Sequence, residues 1–243
     1  MAVPELWTLD GTCTMKIPRF LGFAPSAALA LTVVTSGCHY PSNLKSHSDI
    51  WLTSKGETHI KVSQLPLDQF PKLAKFHQVY EVDFDGGGTD DKLEALAQIG
   101  FTNLSEVVLT DCPLVTDKGI EYLSVVSSIR GLGLRGTSIT DRSIATFARM
   151  SRLEGVNIEG STGVTLKGLV TLAQSDTLTD ICFSGAALTQ DDLLRIIGAV
   201  RHVTRIEIVD PADGRLDAPA LREAARAKNI KLYAVRNRMC SAL

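Results

Sequence analysis

Between Asp83 and Glu94 the chain reads Asp-Phe-Asp-Gly-Gly-Gly-Thr-Asp-Asp-Lys-Leu-Glu. Acids at positions one, three, nine and twelve with glycine at six give the spacing by which a loop wraps hard carboxylate oxygens around calcium. Gly87 stands where a fifth-position ligand is needed, and Asp90 where an apolar residue is usual. The same residues align with a later stretch, Thr89-Asp90-Asp91-Lys92-Leu93-Glu94 against Thr116-Asp117-Lys118-Gly119-Ile120-Glu121. In that alignment Glu94 is an ordinary helix position. A structural turn is the expectation, with calcium as the alternative.

Other residues able to do chemistry are scattered. The cysteines are Cys13, Cys38, Cys112, Cys182 and Cys240, and no C-x-x-C pair suggests zinc. The histidines (His39, His47, His59, His77 and His202) stand at no metal-ligand spacing from one another, so solvated or locally bonded rings are expected. No G-x-S-x-G elbow is present, and Gly131-Leu132-Gly133 lacks a phosphate-loop context. The reading expects no enzyme, no metal and no cofactor.

Composition narrows the remaining classes. The 243 residues carry 25 Lys+Arg against 27 Asp+Glu, a formal charge of −2, which argues against the basic face of a nucleic-acid binder. Hydrophobic residues at 44% can build a core, and 21% charge argues against wholesale disorder.

The positioning elements emerge from self-similarity. An apolar-x-x-apolar-x-apolar pattern begins at Val79, Leu104, Ile129, Leu153, Leu178 and Val203, in steps of 25, 25, 24, 25 and 25, with an echo at Ile230, Leu232 and Tyr233. Thr89-Asp90, Thr116-Asp117, Thr140-Asp141, Thr165 and Thr189 follow the strand-like pieces, and an apolar set at helical spacing follows each. Threonine is a good N-cap, and aspartate in a first turn complements the helix dipole. Asp217 takes the capping place in the last repeat, and Leu67/Phe70/Leu73/Phe76 reads as the helix of an incomplete first one.

With Thr116-Asp117-Lys118-Gly119-Ile120 as helix start and Cys112 three residues past the strand, the chain resembles the leucine-rich repeat family, in its cysteine-containing, F-box-associated form. The resemblance covers about residues 60–235. It implies an α/β fold: a right-handed solenoid arc with parallel strands on the concave face and helices on the convex one. Thr137, Ser161 and Ala186 hold the place of Cys112 in later repeats, and the polar ladder should weaken at Ala186. Cys112 and Cys182 lie three repeats apart, about 14 Å at strand spacing, too far for a disulfide.

Strand alternation then places the third, fifth and seventh residue of each repeat on the concave face. The expected partner-binding set is Glu81, Asp83, Asp85, Glu106, Gly131, Gly133, Arg135, Gly155, Asn157, Glu159, Asp180, Arg205 and Glu207. It has an acidic N-terminal end and a centre floored by glycine. Because leucine-rich repeats are interaction scaffolds, the resemblance implies a protein partner, and a merely soluble surface is the alternative.

The N-terminus speaks to location. Residues 1–14 read as an upstream extension before Met15; Lys16 and Arg19 then precede the mostly apolar run from Phe20 to Val34. That run is short for a membrane span and reads as a signal peptide, 15–37. Ser36-Gly37-Cys38 resembles the lipobox of bacterial lipoproteins, while Thr35 departs from it. The resemblance implies lipidation at Cys38, a polar tether over 38–59, and a lipid-anchored place in a bacterial cell envelope. Residues 236–243 form a tail. A cleaved signal with an incidental Cys38, or a mitochondrial presequence, stays open. So does a eukaryotic adaptor for ubiquitin-ligase substrates or mitochondrial assembly, or an enzyme activator.

Overall fold

The computed structural model describes residues 50–52, 57–76, 78–209, 219–236 and 239–242. Cys38, the signal segment, His77 and Asp217 lie outside the described residues. Among the described residues ten strands form one sheet in chain order: β1 (Ile50–Leu52), β2 (Thr58–Lys61), β3 (Val79–Asp83), β4 (Glu106–Val108), β5 (Gly131–Gly133), β6 (Gly155–Asn157), β7 (Asp180–Ser184), β8 (Arg205–Val209), β9 (Lys231–Arg236) and β10 (Met239–Ala242). From β2 to β9 neighbours are parallel; β1 and β10 pair antiparallel at the two ends.

The repeat frame fixes the register. Val82, Val107, Leu132, Val156, Ile181, Ile206 and Leu232 pair in succession. From Val82 to Ile206 each is no more than 1% exposed. Ile50–Leu52 and Thr58–Lys61, which fall within the expected tether 38–59 or across its end, are strands. Likewise Met239–Ala242 adds a strand within the expected tail.

Parallel neighbours need a crossover, and helical segments supply it. They are α1 (Asp90–Ile99), α2 (Asp117–Leu123), α3 (Asp141–Phe147), α4 (Leu166–Ala173), α5 (Gln190–Ala199) and α6 (Pro219–Ala227). A 3-10 segment, Leu67–Lys75, joins β2 to β3 and buries Phe70 and Leu73. The helices and one face of the sheet share a single apolar core.

Thr89, Thr116, Thr140, Thr165 and Thr189 are N-caps, each with its hydroxyl accepting a first-turn amide. The aspartates that follow do more than face a dipole. Asp90 accepts from Thr116 N, Thr116 Oγ1 and Gly119 N at 2.8, 2.6 and 3.0 Å. Asp117 accepts in the same way from the amide and hydroxyl of both Thr140 and Ser143. Asp141 accepts from Thr165 N and Oγ1. Each carboxylate thus ties its own helix to the start of the next.

Candidate functional site

The sheet face away from the helices carries the expected contact residues in rows set by register. One row runs His59, Glu81, Glu106, Gly131, Gly155, Asp180, Arg205 and Lys231. The next runs Lys61, Asp83, Val108, Gly133, Asn157, Cys182, Glu207 and Tyr233.

Side-chain access along these rows differs from the sequence expectation. Asn157 is only 1% exposed, and its Oδ1 accepts from Glu159 N at 2.8 Å. Gly131 and Gly155 are buried, so together with Asn157 they leave the accessible contact set; Gly133 beside them is half-buried. At the C-terminal end Cys182 and Val209 are buried and pack with Val235, making that part apolar.

Several of the expected polar contacts are spent inside the molecule. Arg135 holds Asp111 at 2.6 Å, and Lys61 holds Asp85. Arg205 pairs with Glu207 and stacks over Tyr233 at 4.9 Å from the ring centroid. Asp180 accepts from Thr179 Oγ1 at 2.7 Å. The charges that remain concentrated are those of the N-terminal end.

There β2, β3 and β4 stack Glu81 against Glu106, with Asp83 one pleat further along. Burial pushes the Glu106 carboxyl up to about 7; Glu81's charge adds to that, while the Tyr80 hydroxyl and His59 act against it. Burial likewise lifts Asp83 to about 6, with Lys61 pulling it back and the charges of Asp85 and Glu81 adding to the rise. Tyr80 donates to Glu106 Oε1 at 3.3 Å, and burial raises its own pKa. His59 Nδ1 lies 3.1 Å from Glu81 Oε2, an ion pair only when the ring is protonated.

Sequence reasoning missed His59, Lys61 and Tyr80. For His59 and Lys61 the signal was present in the alternation Thr58-His59-Ile60-Lys61-Val62. It was hidden because Glu57 occupies the place of the first apolar residue of the repeat pattern.

The loop read as a calcium candidate is closed by protein groups. Lys92 Nζ donates to Gly87 O at 2.7 Å, Asp90 is engaged by α2, and Glu94 lies within α1. Cys112 is buried, its Sγ accepting from Gly88 N at 3.3 Å, and burial pushes its thiol up. Thr137 and Ser161 continue this polar line at 3.1 Å from each other, whereas Ala186 is exposed and ends it.

No family model matches the chain, and no curated protein matches it. Among solved structures it is similar to actin-binding site 2 of leiomodin-1, at 13% identity and a TM-score of 0.36 over 68% of this chain and 85% of that one. It is also similar to the dipeptide epimerase of Enterococcus faecalis V583, at 15% identity and a TM-score of 0.31, covering 70% of this chain and 42% of the epimerase. A mandelate racemase/muconate lactonizing enzyme from Jannaschia sp. CCS1 follows at 10% identity and a TM-score of 0.30, with 69% and 41% covered. The chain spans less than half of each enzyme. Similarity of this extent carries over neither activity nor partner. Among the described residues no helix is long and apolar enough to cross a membrane.

Proposed function

We propose that the chain is a cysteine-containing leucine-rich repeat protein of right-handed solenoid form, with its helix-free sheet face concave and open to another protein. In this reading Cys38 carries a lipid that anchors the domain in a bacterial cell envelope, and binding rather than catalysis is its work.

The observation that carries the reading is the coincidence of period and register: the six repeat starts of the sequence open or lead, two residues on, into strands that pair in order, and a threonine caps each of the five helices from α1 to α5. Charge supports the choice of a partner with a basic element, because the least neutralised part of the face is acidic.

Two arms of one experiment in the native host test it. Cys38→Ser should abolish labelling by radioactive palmitate and move the protein to the soluble fraction; unchanged labelling sinks the anchor. Gly133→Trp should abolish crosslinking to the partner, while Arg142→Glu, on the helix side, should leave it intact. The reverse pattern would move the binding surface to the helices.

A further inference from the structure

The His59–Glu81–Glu106 row differs from every other part of the sheet in setting two carboxylates side by side across a parallel ladder. Adjacent strands are about 4.8 Å apart, so the two side chains must either share a proton or repel. The groups around them leave little choice. From β2, His59 reaches Glu81 but stands two strands from Glu106. From β3, Tyr80 donates its hydroxyl to Glu106, and Asp83 adds a further negative group. Glu57 adds negative charge near Tyr80. From β5 the residue in register with Glu106 is Gly131, which has no side chain. The nearby cations are otherwise engaged, Arg130 with Glu154 and Lys61 with Asp85. Glu106 therefore has a donor in Tyr80, a neighbour without a side chain on β5, and the imidazole of His59, beyond β3, pulling against its raised pKa.

We propose that Glu81 and Glu106 share one proton, and that this proton clasps the β2–β4 end of the sheet, which loosens when the proton leaves. The raised affinity of Glu106 for its proton gives the sign. Folded chain holds the proton more tightly than unfolded chain, so the contribution to stability is full below the ordinary value of 4.5 and declines as pH rises to about 7. Loosening would also switch the charge of the acidic end, whether or not that end binds a partner.

The full chain tests this without a ligand. With 13C-labelled glutamate, the Glu106 carboxyl should titrate near neutrality and Glu81 should respond at the same pH. Amide exchange at Val82 and Val107 should accelerate between pH 6 and 8 by about tenfold beyond the intrinsic rise, the factor that one pKa unit represents. Ile208, at the other end of the sheet, should show no such excess. In Glu106→Gln the excess should vanish. If that variant does not fold, Glu81→Gln should lower the Glu106 midpoint by about one unit or more. Titration of Glu106 in the ordinary carboxylate range, an undiminished excess in Glu106→Gln, or an unmoved midpoint in Glu81→Gln would each overturn the clasp.

Discussion

Helices α2 to α4 take an acceptor for their first turn from the preceding repeat, whereas α5 supplies its own. Asp90, Asp117 and Asp141 occupy the first position of their own helices and reach Thr116, Thr140 and Thr165 in the next. At the corresponding place in α4 stands Leu166, and Thr189 instead closes a capping box with Asp192, at 2.9 and 3.2 Å. One residue, one repeat upstream, decides whether a threonine cap is a link between repeats or a local fitting. The link also constrains the third helical residue. A Cβ on Gly119 would come within 2.5 Å of Asp90 Oδ1, and one on Gly168 within 2.1 Å of Asp141 Oδ1. Ser143, the third variant, is buried and donates to Asp117.

The largest break in that comparison should come from Asp117→Ala, which strands four donors. Charge-assisted bonds at about 1.5 kcal/mol each, discounted by half for partial exposure, suggest a loss of about 3 kcal/mol, read from urea midpoints. A loss no larger than that of Asp192→Ala would mean the links between repeats count no more than a local cap. The acid limb gives a second view. Burial alone would raise Asp117, but hydrogen bonds from Ser143 and Thr140 outweigh it and hold its pKa below the usual 3.8. Its contribution is therefore complete above that value and disappears as pH falls through the lowered one. Asp117→Asn should lose this part of the acid sensitivity.

Gly119→Ala should cost less, about 2 kcal/mol, because Asp90 and Leu93 must both move aside. The smallest effect should have the opposite sign. Gly198 in α5 has nothing within 4 Å of an added Cβ, so Gly198→Ala should gain about 0.5–1 kcal/mol. Thermal unfolding of the pair checks both directions, and equal shifts would dissolve the distinction between the two kinds of helix.

The strands and caps were legible because each is declared within one repeat: Leu132 and Leu134 by alternation, Thr140 by its place before a helical pattern. Asp117 was read as a dipole residue because its true partners, Thr140 and Ser143, become neighbours only after stacking. The same limit applied to Asn157, an outward position by parity whose side chain is covered and turned onto the backbone of Glu159. β2 escaped notice because Ile60 pairs with Val82 at a spacing of 22, outside the 25-residue frame. As for the acidic end, four of its carboxylates were visible in the sequence. The histidine beside them required β2 to be in place, and the tyrosine, on β3 itself, meets Glu106 only once β4 is stacked against it.

Among the described residues both outermost strands run against their neighbours, β1 against β2 and β10 against β9. The inner eight obey a translation rule in which each repeat presents to the next the edge it received from the one before. A reversed strand breaks that rule, because a further strand in the repeat direction would face it antiparallel, with paired perpendicular hydrogen bonds in place of slanted ones. The array therefore has punctuation at each end. Another repeat of the same direction could be spliced between α1 and α5 without altering either boundary, but one laid beyond β1 or β10 would have to pair antiparallel, outside the slanted parallel ladder of the inner strands.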